Sequence, residues 1–143
     1  MGKRSSVLFE KALPPEEKQE LRNFANSLQS EILEGKPFNC LISGDPKLQE
    51  LNRNFLKKDY PTDVLSFPSE DGGEIAISLD RATAQALEFG HSRLVEIKIL
   101  MLHGVLHLAG MDHETDGGKM KRAEKGWRRV FGLPAGLIER SQR

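Results

Sequence analysis

The stretch that most constrains this chain is its longest apolar run, which histidine interrupts. Residues 99–111 read ILMLHGVLHLAGM, and His113 follows two places on. After its first turns the segment 93–109 is apolar nearly all round, which predicts a helix buried at the centre of the fold. The run is shorter than the roughly 18 apolar residues that mark a membrane span, so protein must cover it. His103 and His107 stand four apart, so on a helix they share one face, one turn apart. Gly110 can end that helix in a left-handed turn, and the turn can swing His113 back toward the other two. One histidine on an apolar helix is an ordinary core residue with a satisfied hydrogen bond. Three buried imidazoles without a shared partner are expensive, and converging on zinc with a fourth position open resolves that cost.

The spacing His-x3-His-x5-His, with glycine at the eighth place, equals that of the peptidase motif HExxHxxGxxH. The glutamate that acts there as general base is Gly104 here. The segment offers a metal site without the peptidase's proton acceptor, which counts against a peptidase.

Length and composition bound the rest. At 143 residues the chain makes one domain, 1–143, with one sizeable core. Lys plus Arg and Asp plus Glu both number 21, which excludes a histone-like polycation and an acidic disordered chain. Cys40 is the single cysteine, so no internal disulfide forms, and neither a disulfide-linked partner nor a cysteine-based zinc site is expected. That usage fits a reducing, cytoplasmic setting, and the N-terminal segment has no apolar stretch of signal-peptide length. Charge is uneven: residues 119–143 hold eight basic and two acidic side chains. This is either a solvated helix face or a surface for a polyanion.

The coarse elements point to an α+β domain of about four strands and about five helices, with no strand order implied. Strands are expected at 7–9, 38–43, 64–67 and 74–78, the third ended by Pro68 and forming a hairpin with the fourth. Pro14, Pro15, Glu16 and Glu17 open a first helix that Gly35 stops, and Leu21, Phe24, Leu28 and Ile32 mark its inner stripe. Asp45 is expected to cap a second helix with Leu48, Leu51 and Phe55 inward. Ser78 and Ser92 are expected caps of a third helix, to about 89, and of the central one. A last helix over 119–131 turns Met120, Ala123, Trp127 and Val130 or Phe131 inward. Cys40 reads as a small buried hydrophobe, Trp127 as core and His91 as a loop residue that binds no metal.

HGVLHLAGMDH resembles the signature of the YbeY family of bacterial metal-dependent endoribonucleases, His-Gly-x-Leu-His-Leu-x-Gly-x-Asp-His, and matches every fixed position. Residues 51–68, LNRNFLKKDYPTDVLSFP, are similar to the family's segment around a cleft-side strand. GGEIAIS is similar to its Gly-Asp-Ile strand, and Met120 and Glu124 match its Met-x-x-x-Glu pair. The resemblance spans residues 45–131. It implies a mixed four-stranded sheet packed with helices, and one zinc ion held by His103, His107 and His113, the same histidines forming the catalytic centre. It also implies a single-strand-specific endoribonuclease acting on ribosomal RNA and the small ribosomal subunit. Its cellular tasks would be maturation of the 16S rRNA 3′ end and late-stage ribosome quality control.

One position departs from the family. Its LN-x-x-[YF]-R segment carries an arginine where this chain has Leu56, after Phe55. A leucine cannot contact phosphate, and Lys57 or Lys58 would supply a point charge rather than a two-pronged contact. Several roles stay open at this stage. Asp112 either orients an imidazole or caps the turn. Asp63 and Ser66 either serve the cleft or simply start a strand and supply sheet polarity. Lys121, Lys125 and Arg128 form either a phosphate-binding stripe or a solvated face. The attacking group is either water activated at the metal or the RNA 2′-OH. Two other function classes compete: a ribosome-assembly factor with a structural metal and weak catalysis, and another small metallohydrolase.

Overall fold

The computed structural model describes residues 3–112, 114–135 and 137–141. Along the chain run β1 (Ser6–Phe9), α1 (Pro15–Glu31), β2 (Asn39–Ser43), α2 (Asp45–Leu56), β3 (Val64–Ser69), β4 (Gly72–Ser78), α3 (Leu79–Phe89), α4 (Arg93–Leu108), α5 (Lys119–Val130) and α6 (Leu137–Ser141). The strands form one mixed sheet in the order β1-β2-β4-β3. β1, β2 and β4 are parallel, and β3 is the antiparallel edge. The predicted α+β class, strand count and hairpin are all present.

Alternation along the strands sorts side chains onto two faces. Val7, Cys40, Ile42, Ile75 and Ile77 enter the main core, which α1 and α4 fill with Leu21, Phe24, Leu28, Ile97 and Leu100. On the other face Leu65 and Ala76 meet Leu48 of α2, with Leu41, Leu51 and Phe67 around them. α4 packs against α1, α3, α5, α6 and two strands, and every residue from Ile99 to Leu106 is buried. It is the predicted central helix, and each fully buried aliphatic side chain on it contributes about 1.5–3 kcal/mol.

The predicted helix signals hold. Ser78 Oγ accepts from Arg81 N at 3.2 Å and Ser92 Oγ from Val95 N at 3.1 Å. Pro15 opens α1 with Glu16 and Glu17 in the first turn. Gly35 donates its N–H back to Gln29 O at 2.9 Å, from the left-handed conformation. Trp127 packs on the main core and stacks with Phe131, whose ring meets Phe24 edge-on at 5.2 Å.

Some local expectations are corrected. Asp45 is the first residue of α2, not its cap. Its carboxylate accepts from Ser78 Oγ at 2.7 Å and Arg81 Nε at 3.3 Å, which ties α2 to α3. Phe55 is 65 % exposed, and Asn52 is buried in its stead, donating to Tyr60 O at 3.0 Å. An amide can take the inward line there because the loop after α2 supplies an acceptor. β3 continues through Pro68 to Ser69, which an edge strand tolerates because it lacks one neighbour. α6 has no counterpart among the expected elements, because five residues are too few to show a helical period.

Gly72 (φ 121°) sits where the hairpin meets the lead-in to β2, and a Cβ there would lie 1.9 Å from Pro37 O. Backbone cannot yield as a side chain can, so Gly72→Ala should lower stability by about 2–4 kcal/mol, read from the urea midpoint. Burial pushes the Cys40 thiol up to about 12. The folded protein should therefore resist iodoacetamide and react only on unfolding. Above the thiol's ordinary 9.0 the unfolded chain loses this proton while the folded one keeps it. Stability should accordingly fall with rising pH there, less so in Cys40→Ala.

Candidate metal centre

α4 presents His103 and His107 from one face, with ring centroids 4.9 Å apart and planes at 77°. His103 is buried and His107 half-buried. His103 Nδ1 lies 2.9 Å from Glu124 Oε2, and His107 Nδ1 lies 2.9 Å from Met111 O. A main-chain carbonyl only accepts and an ionised carboxylate only accepts, so each Nδ1 carries the hydrogen. A neutral ring bonded in this way has its lone pair at Nε2, the tautomer that binds a metal through that nitrogen.

The predicted glycine turn is present. Gly110 is left-handed at φ 92°, its N–H reaches His107 O at 2.9 Å, and Met111 N reaches Leu106 O at 3.1 Å. This turn also brings Met111 O onto His107. His113, the third expected ligand, lies outside the described residues. Among the described residues no three His, Cys, Asp or Glu side chains gather as a metal-binding set.

Gly104 explains why the peptidase glutamate has no counterpart. A Cβ there would meet Ile75 Cδ1 at 3.0 Å and Ser66 Oγ at 3.1 Å, so the helix passes the sheet with no room for a longer side chain. Ser66 Oγ donates to Gly104 O at 3.2 Å. Asp63 starts β3 by accepting from Val64 N at 2.8 Å, and its other oxygen accepts from Gln85 Nε2 at 3.2 Å. Asp112 Oδ1 accepts from Glu114 N at 3.0 Å, the turn-capping role.

The two histidines open into a cleft of about 700 Å³, walled by β3, the turn at 110–112, Leu56, Lys58 and Leu137. Leu56 thus faces the cleft, and of the two following lysines only Lys58 joins it. Lys121, Lys125 and Arg128 do not line it, and Arg128 Nη1 donates to Leu133 O at 3.4 Å. His91 stands apart, its Nε2 2.6 Å from Glu96 Oε1. A larger cleft of about 860 Å³ lies between Lys36 and Glu74, mixes both charge signs and holds neither histidine. The paired imidazoles make the smaller cleft the candidate site.

Glu124 holds His103 at the candidate site, and sequence reasoning left it without a role. It is buried, and its second oxygen accepts from Ile138 N at 2.9 Å. The available signal was an acid four residues after Met120, beside the inward stripe of α5.

Residues 10–130 match the family model described as Endoribonuclease YbeY. The chain belongs to the YbeY family. An Endoribonuclease YbeY of Solibacter usitatus is 57 % identical over 140 residues, covering 96 % of this chain and 95 % of that protein. One from Nautilia profundicola is 45 % identical, covering 78 % and 84 %. A solution structure from Thermotoga maritima superposes with a TM-score of 0.63 at 26 % identity, covering 89 % of each chain. The family-model match begins well before residue 45 and ends at 130, before α6, while the Solibacter usitatus relative aligns over 96 % of the chain. The enzyme is therefore an endoribonuclease, a hydrolase of RNA phosphodiester bonds.

The close passage at Gly104 yields a double-mutant test. Gly104→Ala should cost about 1 kcal/mol, crowding outweighing the gain in helix propensity. Ile75→Val removes the nearer of the two crowding methyls, so the double variant should cost less than the sum of the two single costs in a urea-unfolding cycle.

Proposed function

We propose that this chain is a single-strand-specific, zinc-dependent endoribonuclease of ribosomal RNA. His103, His107 and His113 hold one zinc ion per chain and form its catalytic centre. In this reading the small ribosomal subunit is its partner, in the cytoplasm. The tasks are 16S rRNA 3′-end maturation and late-stage ribosome quality control. The observation that carries the reading is the pair of Nδ1 hydrogen bonds, to Glu124 and to Met111 O, which leave His103 and His107 with lone pairs at Nε2. Two neutral imidazoles on one helical face fit zinc by donor chemistry.

Zinc held by these histidines would supply Lewis acidity toward a phosphodiester oxygen. The chain does the rest. Glu124 and Met111 O hold the rings in orientation. Lys58 brings a positive charge to the cleft wall for a phosphate. Val64, Pro68, Met111 and Leu56 offer apolar surface to unstacked bases, and a cleft of about 700 Å³ suits one strand better than a duplex. Leu56 favours a second reading, a ribosome-assembly factor with a structural metal and weak catalysis, because the cleft lacks a guanidinium at that place.

Labelled single-stranded RNA tests both. The purified protein should cut it, chelator should abolish cutting, and zinc should restore it. His107→Ala should fall to the chelated background, and metal analysis should return one zinc per chain. Leu56→Arg should raise kcat/KM about tenfold, the equivalent of ~1.5 kcal/mol from a hydrogen bond to a charged group. A 2′,3′-cyclic phosphate end would assign attack to the RNA 2′-OH. Folded protein that binds RNA in a salt-dependent way but leaves it intact would select the assembly-factor reading.

A further inference from the structure

Three charged side chains are buried on the far side of His103. Glu96, in the first turn of α4, is fully buried, Glu124 is 1 % exposed and Arg140 of α6 is 8 % exposed. Arg140 grips Glu96 with both prongs, Nη1 to Oε1 at 2.8 Å and Nη2 to Oε2 at 2.9 Å. Its guanidinium lies 4.2 Å from the centre of the Phe89 ring, and His91 Nε2 meets the same Glu96 oxygen. Two residues before Arg140, Ile138 N donates to Glu124 Oε1, while Glu124 Oε2 holds His103 Nδ1.

A buried ion pair contributes little net stability compared with apolar residues of the same volume, because desolvation offsets the attraction. What it does impose is geometry. A helix of five residues does not persist alone, so its position is set by what grips it. A glutamate carboxylate turns easily about its last torsion, and one hydrogen bond leaves its plane loosely set. Bonds at both oxygens, from two different elements, fix it.

We infer that Arg140 is a positioning residue of the histidine centre. Clamped on Glu96, it seats α6 so that Ile138 N–H pins one oxygen of Glu124 and turns the other to His103. The metal part of this inference rests on the reading of His103 as a ligand. α6 lies beyond residues 10–130, which the family model matches, and it completes the support of the site.

The test is the pair of variants Arg140→Lys and Glu96→Leu/Arg140→Met. The double variant replaces the ion pair by apolar groups and should keep the urea midpoint. Arg140→Lys keeps the charge but loses the two-pronged grip, and it serves if the double variant does not fold. Two readouts decide. The first is the His103 tautomer from imidazole nitrogen shifts in the metal-free protein at mildly alkaline pH. The second is zinc affinity by chelator competition. The parent should show the Nδ1–H form, and the variants a mixture of forms with about tenfold weaker zinc binding, as expected when a ligand's outer support is lost. Parent-like tautomer and affinity, with any change confined to stability, would overturn the inference. A parent that binds no zinc would defeat the metal reading alone, and the tautomer comparison would still decide the role of Arg140.

Discussion

Where α4 crosses β3 and β4, Gly104 leaves only backbone between the helix and Ile75 and Ser66. That close approach sets the depth of the whole helix. His103 lies one residue before the crossing and His107 three residues after it, so both inherit a position set by aliphatic packing. The order of magnitudes supports this hierarchy. The apolar side chains of α4 contribute about 1.5–3 kcal/mol each, whereas one neutral hydrogen bond contributes about 1 kcal/mol net. The scaffold therefore places the imidazoles, and the hydrogen bonds only orient them.

Orientation comes from groups with quite different origins. Met111 O reaches His107 because the Gly110 turn folds the chain back on itself, so one short segment supplies both the ring and its acceptor. Glu124 reaches His103 from another helix and is itself held by α6. Loss of tertiary packing would release His103 from its acceptor while leaving the local turn at His107 with its own. The cleft's electrostatics are similarly uneven. Lys58 lines it, Leu56 withholds the charge that the family pattern has there, and the cations of α5 lie outside it.

Much of the fold was legible because its signals are local. Serine caps at 78 and 92, proline and acids at the start of α1, and alternation in β4 each act within a few residues, and each appears as expected. Phe55 was misread because an apolar residue at helical spacing looks inward unless one knows where the underlying sheet lies. Pro68 was misread because whether proline ends a strand depends on its being at an edge, which is a property of the sheet order. α6 was invisible because its position is set by Arg140, Glu96 and Glu124, residues far apart in sequence and individually typical of a surface.

The sequence by itself determined the pairing of His103 with His107, the glycine turn after them, the central burial of their helix and the family that carries this pattern. Helical periodicity and glycine's backbone freedom suffice for that, since both act over one or two turns. Tertiary structure alone decided the strand order, the cleft that takes in Leu56 and Lys58, and the carboxylate that holds His103. Those depend on burying charges and on bringing together residues 21 to 44 apart in the chain, and no local pattern encodes which acid meets which base.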